Sequence, residues 1–440
     1  MAINALQSST AKVLGIGFLA LLMLIPLAQV QGLIGERNEL RFHAIASIAQ
    51  SWGREQHLGG PVLAIPKRVR VLSNNGWSTF DSTEIVLPDT LNIRGSLAPE
   101  LRSYGIYSAP VYTAEVKISG RFLVADLKAL GGYETKYLWD RAELLLPVSD
   151  VRGIRRVGAL RLSGTEHTFG PSETSVGNVN AIAIPLDLSK LDGEAMPFEL
   201  GMTLAGTQQL QLLPLARRTE AALNSAWPDP SFDGAFLPAE RHVGAQGFDA
   251  RWQVLDLNRN FGQHWQQDAQ RTLDLKSAGF GVNLYEPASI YQQNERAGKY
   301  GVLFIALTFV AFFLFEVLKK LRVHPVQYLL VGLALTTFYV VLLAMSEQVG
   351  FAWAYLAAAA SVVLLVGGYA AAVLRTRRGG ILLGATIALV YGLLYGLVVS
   401  EQYSLLMGAV ALLAVVAALM FLTRRVDWYA ATAATTAKPA

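Results

Sequence analysis

The six histidines, His43, His57, His167, His242, His264 and His324, are the side chains best suited to metal binding or general-base work. None sits at the His-x-x-x-His or His-Glu-x-x-His spacing that puts two imidazoles on one helix face. The chain has no cysteine, which removes zinc–thiolate sites, thioredoxin-like pairs and cysteine nucleophiles. Neither a Gly-x-Ser-x-Gly elbow nor a phosphate-binding P-loop occurs. Three carboxylates, Asp229, Asp233 and Glu240, gather around Trp227-Pro228-Asp229-Pro230-Ser231-Phe232. Two of them could serve acid–base hydrolysis of a glycan, but acidic residues among prolines are more often turn formers. Trp227, Phe232 and Phe236 could offer stacking faces to a sugar or a partner, with packed core aromatics as the plainer expectation. The residues thus predict a chain without metal, without cofactor and without enzymatic activity.

The elements that must carry these residues are of two kinds. Hydrophobic residues make up 52% of the 440 and charged residues only 16%, too apolar for an ordinary soluble protein. The excess falls in six stretches, Val13–Val30, Tyr300–Leu318, Val326–Met345, Val349–Leu374, Gly379–Val399 and Leu405–Leu422. Each approaches the roughly 20 apolar residues a membrane-spanning helix needs. The first contains Pro26 and is followed by no small-x-small cleavage site, which predicts an uncleaved signal anchor rather than a signal peptide.

Charge gives the orientation. Lys319, Lys320 and Arg322 follow the second stretch, Arg375, Arg377 and Arg378 the fourth, and Arg424 and Arg425 the sixth. The alternate turns, Met345-Ser346-Glu347-Gln348-Val349 and Ser400-Glu401-Gln402-Tyr403, hold no Lys or Arg. By the positive-inside rule both termini are cytoplasmic, and the long segment between the first two spans lies outside, in the periplasm of a bacterial inner membrane. Of the 37 Lys and Arg, ten lie outside residues 35–299, against four of the 33 Asp and Glu. The segment 35–299 is left at −2 and the remainder at +6, so the basic excess records topology and implies no nucleic-acid partner. Four parts are expected: a tail and signal anchor over 1–33, a periplasmic domain over 34–299, a five-helix bundle over 300–422 and a cytoplasmic tail over 423–440.

Within the bundle, Gly380, Gly384, Ala388, Gly392, Gly396 and Ser400 recur every four residues. Small residues at this spacing let helix backbones approach closely, and the stripe drifts by about 40° per step, enough for one crossing partner or two successive neighbours. An intramolecular seam is expected, with a homodimer seam as the alternative. Ionisable residues sit at the ends of spans: Glu316 one turn before Lys319 and Lys320, and Glu347 and Glu401 at the opposite face, level with Arg296 and Lys299. Boundary ion pairs are the expected role, and a cation or proton site in a transporter or channel is the rival one.

The periplasmic segment begins helically, with Ile45, Ile48, Ala49 and Trp52 at a period near 3.6. Beyond it, short alternating runs such as Val62-Leu63-Ala64-Ile65, Ala114-Glu115-Val116-Lys117-Ile118 and Ala181-Ile182-Ala183-Ile184 are punctuated by turns at Asn74-Asn75-Gly76 and Leu191-Asp192-Gly193. They predict many short strands in a β-sandwich or two packed β-units, with Thr219–Ser225 as the one short helix.

The blocks Ser51-Trp52-Gly53 with Gln56 and Gly60-Pro61, Trp227-Pro228 with Pro230-Ser231-Phe232, and Gly247-Phe248-Asp249-Ala250-Arg251-Trp252 run through the domain. Arg296-Ala297-Gly298-Lys299-Tyr300-Gly301, His324-Pro325-Val326-Gln327-Tyr328, Ser346-Glu347-Gln348 and Thr423-Arg424-Arg425-Val426-Asp427-Trp428-Tyr429 continue into the bundle. Together, over essentially the whole chain, they resemble the CreD family of bacterial inner membrane proteins. Gln348 stands where that family commonly has His, which argues against a titrating Glu–His pair there. The resemblance implies a cell envelope integrity protein tied to β-lactam stress, and it supplies no catalytic residues. The expected partners are the lipid bilayer and an envelope component or membrane protein, the latter two bound through the periplasmic domain. An envelope glycan hydrolase is a third reading, after the transporter.

Overall fold

A computed structural model describes residues 9–73, 76–131, 134–267, 272–284, 289–318, 323–373, 376–400 and 403–424. The chain divides into two compact units, Met1–Leu40 with Ala288–Ala440, and Arg41–Pro287.

The first unit is helical, and the last part of its second helix, from Arg41, belongs to the second unit. Helices α1 (Ser9–Leu22) and α2 (Leu24–Trp52) meet at Met23, just before Pro26. Pro26 has no N–H to give, yet bonds from Met23 to Leu19 and from Leu27 to Met23 carry the helical path through. The result is an apolar-to-polar rod over Val13–Trp52, twice the length of the apolar stretch itself. After the 5-residue α3 (Val124–Lys128) of the other unit come α4 (Ile290–Leu318), α5 (Pro325–Val349), α6 (Phe351–Val373), α7 (Arg377–Val399) and α8 (Ser404–Thr423). Among the described residues, five helices are long and apolar enough to cross a membrane. The sixth expected span falls on α8, whose apolar stretch among the described residues, Leu405–Phe421, is shorter than that measure.

Glycines set the closest approaches. A Cβ on Gly380 would lie within 2.4 Å of the Ala371 Cβ, and one on Gly367 within 3.4 Å of the Gly384 Cα, so α6 and α7 touch nearly backbone to backbone. Likewise Gly332 makes room for Met23, and Gly301 for Leu27. Further along α6 and α7, Tyr355 donates to the Tyr391 carbonyl at 2.7 Å inside a cluster with Phe338 and Tyr395.

The second unit is β-rich, with three sheets. The nine-stranded sheet is centred on Ala195–Thr207, Tyr107–Leu123, Thr90–Tyr104, Arg218–Ser225 and Gly247–Leu255, side by side. A seven-stranded sheet includes Ala181–Leu186, Ala142–Pro147, Val62–Ser73 and Gly76–Val86; a four-stranded one joins Gln56–Leu58, Gln209–Leu212, Phe280–Leu284 and Pro230–Gly234. One core draws on all three, with Ile93, Ile118 and Leu200 from the first, Leu63 and Leu144 from the second, and Leu210 and Val282 from the third. Val62, Ala64 and Leu145 point the other way into a second core, so the seven-stranded sheet is covered on both faces.

Two expectations are corrected. The central strands are long, up to the 17 residues of Tyr107–Leu123, because adjacent long strands satisfy each other's backbone along a 15-pair register. Thr219–Ser225 is strand, not helix. Thr219, Ala221, Leu223 and Ser225 are buried in alternation, and the segment is paired on both sides, parallel to Thr90–Leu97 and antiparallel to Phe248–Leu255. Period-2 burial between two partners outweighs the helix propensity of Glu220, Ala221, Ala222 and Leu223.

The packing of α7 yields a contrast within one helix. Gly380→Ala has no room, whereas a Cβ on Gly392 meets nothing within 4 Å. Thermal melting of the full chain in detergent should show Gly380→Ala destabilised by about 1–3 kcal/mol and Gly392→Ala unchanged or slightly stabilised; equal effects would contradict this packing.

Candidate functional site

A densely bonded polar site of the β-rich unit lies where α2 ends. Trp52 is its last residue, and the indole N–H donates to the Tyr112 carbonyl at 3.2 Å. The guanidiniums of Arg102 and Arg155 stand 4.5 and 4.7 Å from its ring centroid, in cation–π range, and Arg155 also donates to the Trp52 carbonyl at 2.8 Å. That last bond satisfies a carbonyl which the helix end leaves open. Gly53 then turns the chain at φ 138°, where a Cβ would sit 2.7 Å from the Ala205 carbonyl oxygen; only glycine fits.

Three residues on, the Gln56 side chain is fully buried and its amide is fully used. The amide nitrogen donates to the carbonyls of Asp150 and Ala205, each at 3.1 Å, while the oxygen accepts from the Asp150 N–H at 3.3 Å, with the Ser149 hydroxyl oxygen 3.4 Å away. Asp150 extends the network, accepting from the Arg54 N–H and from a bidentate Arg152 at 2.9 Å on both bonds. Burial alone would push the Asp150 carboxyl up. The Arg152 side chain, the backbone N–H groups of Arg54 and Arg152, and the Arg152 charge outweigh it and hold the group below the usual carboxylate range. Gly153 completes the joint, since a Cβ there would strike the Gln56 amide and the Ala205 carbonyl.

Beside the joint opens a cleft of 450 Å³ with two unlike walls. One is the α2 face of Phe42, Ile45, Ala46 and Ala49; the other carries Arg54, Glu55, His57, Ser149 and Lys276. Burial, then the Lys276 charge, pulls the His57 imidazole below its ordinary value, against the Gln211 hydrogen bond and the charges of Asp233 and Asp274. Such a cleft suits an amphiphilic group or peptide side chain. The Ser149 hydroxyl is already engaged, accepting from the His57 N–H at 2.9 Å and donating to the Glu55 carbonyl at 3.1 Å, so it is placed as a strut.

The other candidates are dispersed. Asp233 accepts from Gln209 at 3.0 Å and Gln211 at 3.3 Å, whereas Glu240 pairs with Arg251 on the exposed surface. Phe232 lies edge-on to Phe248 and Trp252, and Phe236 to Phe280; both, with Trp227, are partly buried against the core. Among the described residues no three His, Asp or Glu side chains come together as a metal site. The Nδ1 of His264 is 2.7 Å from Glu84, itself buried and paired with Lys67.

In the bundle, the regular stripe on α7 has several environments. Gly380 and Gly384 face α6, and Gly396 faces the Met407 methyl of α8. Ala388 and Gly392 line an open apolar groove of 560 Å³ with Trp353, Tyr391 and Tyr395, and Ser400 ends the helix with its N–H on the Gly396 carbonyl. Glu347 accepts from the Tyr291 hydroxyl at 3.1 Å and lies 3.9 Å from Arg37, beside an Asn294–Ser346 bond of 2.9 Å. Lys299 pairs instead with Glu295, one turn back on α4, where Arg296 is half-buried. Glu401, like Lys319 and Lys320, lies outside the described residues. Glu316 is buried and accepts from the Tyr328 hydroxyl and the Val323 N–H, both at 2.8 Å. The same loop explains the His-Pro-x-Gln-Tyr block: Pro325 opens α5, and His324 and Gln327 cap each other's backbone N–H groups.

Gln56→Leu keeps the volume and removes its three hydrogen bonds, leaving buried carbonyls and an N–H unpaired. It should cost about 2–4 kcal/mol in unfolding of the β-rich unit, followed by near-ultraviolet dichroism of the full chain. Glu240→Gln, at an exposed ion pair, should change stability by under about 0.5 kcal/mol. Comparable losses in the two variants would contradict the joint.

Comparison with known proteins gives the family. Residues 8–429 match the family described as Inner membrane protein CreD. The chain is 35% identical over 414 residues to the Inner membrane protein CreD of Escherichia coli (strain K12), covering 93% of this chain and 91% of that protein. With its span-capable helices and β-rich unit, the chain belongs to the CreD family of multi-pass inner membrane proteins.

Proposed function

We propose that this chain is a non-enzymatic protein that supports cell envelope integrity under stress, β-lactam stress included. Its β-rich domain, over 34–299, lies in the periplasm and binds an envelope component or a protein partner. Six spans hold it, the first being an uncleaved anchor, with both termini in the cytoplasm. The family membership supports the membrane setting, and the loop charges support the orientation.

The observation that carries the functional part is the joint at Trp52, Gly53 and Gln56, where polar groups are spent on holding the end of α2 within the β-rich unit. Groups committed in this way are structural, which suits a domain that acts by what it touches. Of the three carboxylates that could have formed a hydrolytic pair, Asp233 and Glu240 have separate partners, Gln209 and Gln211 for the first and Arg251 for the second. Deleting the gene and challenging cells with β-lactams and detergents should raise sensitivity, and the wild-type gene on a plasmid should restore resistance. Unchanged sensitivity and morphology would overturn the proposal.

A further inference from the structure

The strands Thr90–Tyr104 and Tyr107–Leu123 form a hairpin whose far end carries no core. Tyr104 pairs with Tyr107 across a two-residue loop, Gly105-Ile106, with Gly105 at φ +64° in the first loop position. Turn chemistry explains the glycine and not the isoleucine, since such loops favour Asn, Asp, Ser or Gly. Ile106 is 54% exposed, Tyr104 62% and Leu101 56%, so three large apolar or amphipathic side chains crowd a tip that gains no packing from them.

The direction of the hairpin follows from its contacts with α2. Trp52 binds the Tyr112 carbonyl, while Ile45 and Ile48 pack on Ala109 and Val111. Seven residues of helix and three of strand each span about 10 Å, so strand and helix advance together toward lower numbers. The hairpin therefore continues past Ala109 toward the end of the domain where α2 enters at Arg41, and Phe42, at that end, is itself 58% exposed. Residue 41 lies within the helical rod Val13–Trp52, eleven residues beyond Val30, where the apolar stretch ends.

We propose that the hairpin tip, through Leu101, Tyr104 and Ile106, inserts into the headgroup–acyl boundary of the bilayer in which α2 is anchored. Tyrosine and branched aliphatics are the side chains that this boundary accommodates, the ring in the acyl margin and the hydroxyl among headgroups. A protein partner fits less well: a stable interface needs about 800 Å² from each side, more than the end of a two-stranded hairpin offers. The insertion gives the domain a second foothold, independent of whichever envelope component it binds.

The absence of cysteine makes the test clean. Single-cysteine variants Tyr104→Cys and Ile106→Cys, with Asp192→Cys as a control, carry a nitroxide in the full chain reconstituted into phosphatidylethanolamine–phosphatidylglycerol vesicles. Asp192 adjoins the strand beginning at Ala195, whose partner Leu123 is the opposite end of the hairpin strand from Tyr107. Both tip labels should collide with dissolved oxygen several-fold more, relative to a water-soluble nickel chelate, than the control does. Tip labels as open to the chelate as the control would overturn the proposal. So would labels immobilised and shielded from both reagents, which would place the tip against protein.

Discussion

A helix that leaves a bilayer ends with carbonyls that nothing in the helix can satisfy, and whatever follows must satisfy them. Here the solution is a joint of three near-consecutive residues. Arg155 takes the Trp52 carbonyl, Gly53 reverses the chain where a side chain would meet the Ala205 carbonyl, and the Thr207 hydroxyl donates to the Gly53 carbonyl at 2.7 Å. Gln56 then spends its whole amide on two segments about a hundred residues or more away. A partly satisfied network at this depth would be worse than none. The joint therefore constrains the loop at Ser149–Gly153, the end of Ala195–Thr207 and the start of Gln56–Leu58 together.

The bundle is held by different means, as lipid requires. Burial of apolar surface does not draw helices together in hydrocarbon, so contact depends on close approach and a few buried polar bonds. Glycines at 301, 332, 367, 380 and 384 provide the first. The second sits near helix ends: Glu316 with Tyr328, and Glu347 with Tyr291 beside Asn294 and Ser346. These bonds join different helices, and they act as clasps between neighbours.

What could be read from sequence was whatever has a local cause. The apolar stretches, the helical continuation to Trp52 and the turn at Gly193, with φ +76°, follow from composition and period. Arg218–Ser225 was illegible because its strand character comes from Thr90–Leu97, well over a hundred residues earlier, while its own residues favour helix. The same distance hid the site. Trp52 and Gln56 stood out only as part of a family-like block, and their partners Arg102, Asp150, Arg155 and Ala205 carry no signal of their own. Aromatics at 227, 232 and 236 were visible as a group, but only the fold shows the rings of Phe232 and Phe236 against Phe248, Trp252 and Phe280, with Trp227 packed on the same core. The α7 stripe was visible as a period; which neighbour each position meets depends on the crossing of α6 and α8.

The account stands or falls on the joint's being rigid. Hydrogen–deuterium exchange of the full chain in lipid nanodiscs measures this directly, because local opening free energies differ between frayed ends and cooperative cores. Amides from Ile45 to Leu58 should exchange as slowly as those around Ile93, Ile118 and Leu223 in the nine-stranded sheet, and should open with them. Fast exchange across Ile45–Leu58, with the sheet still protected, would mean that α2 hangs loosely from the domain and would contradict the account.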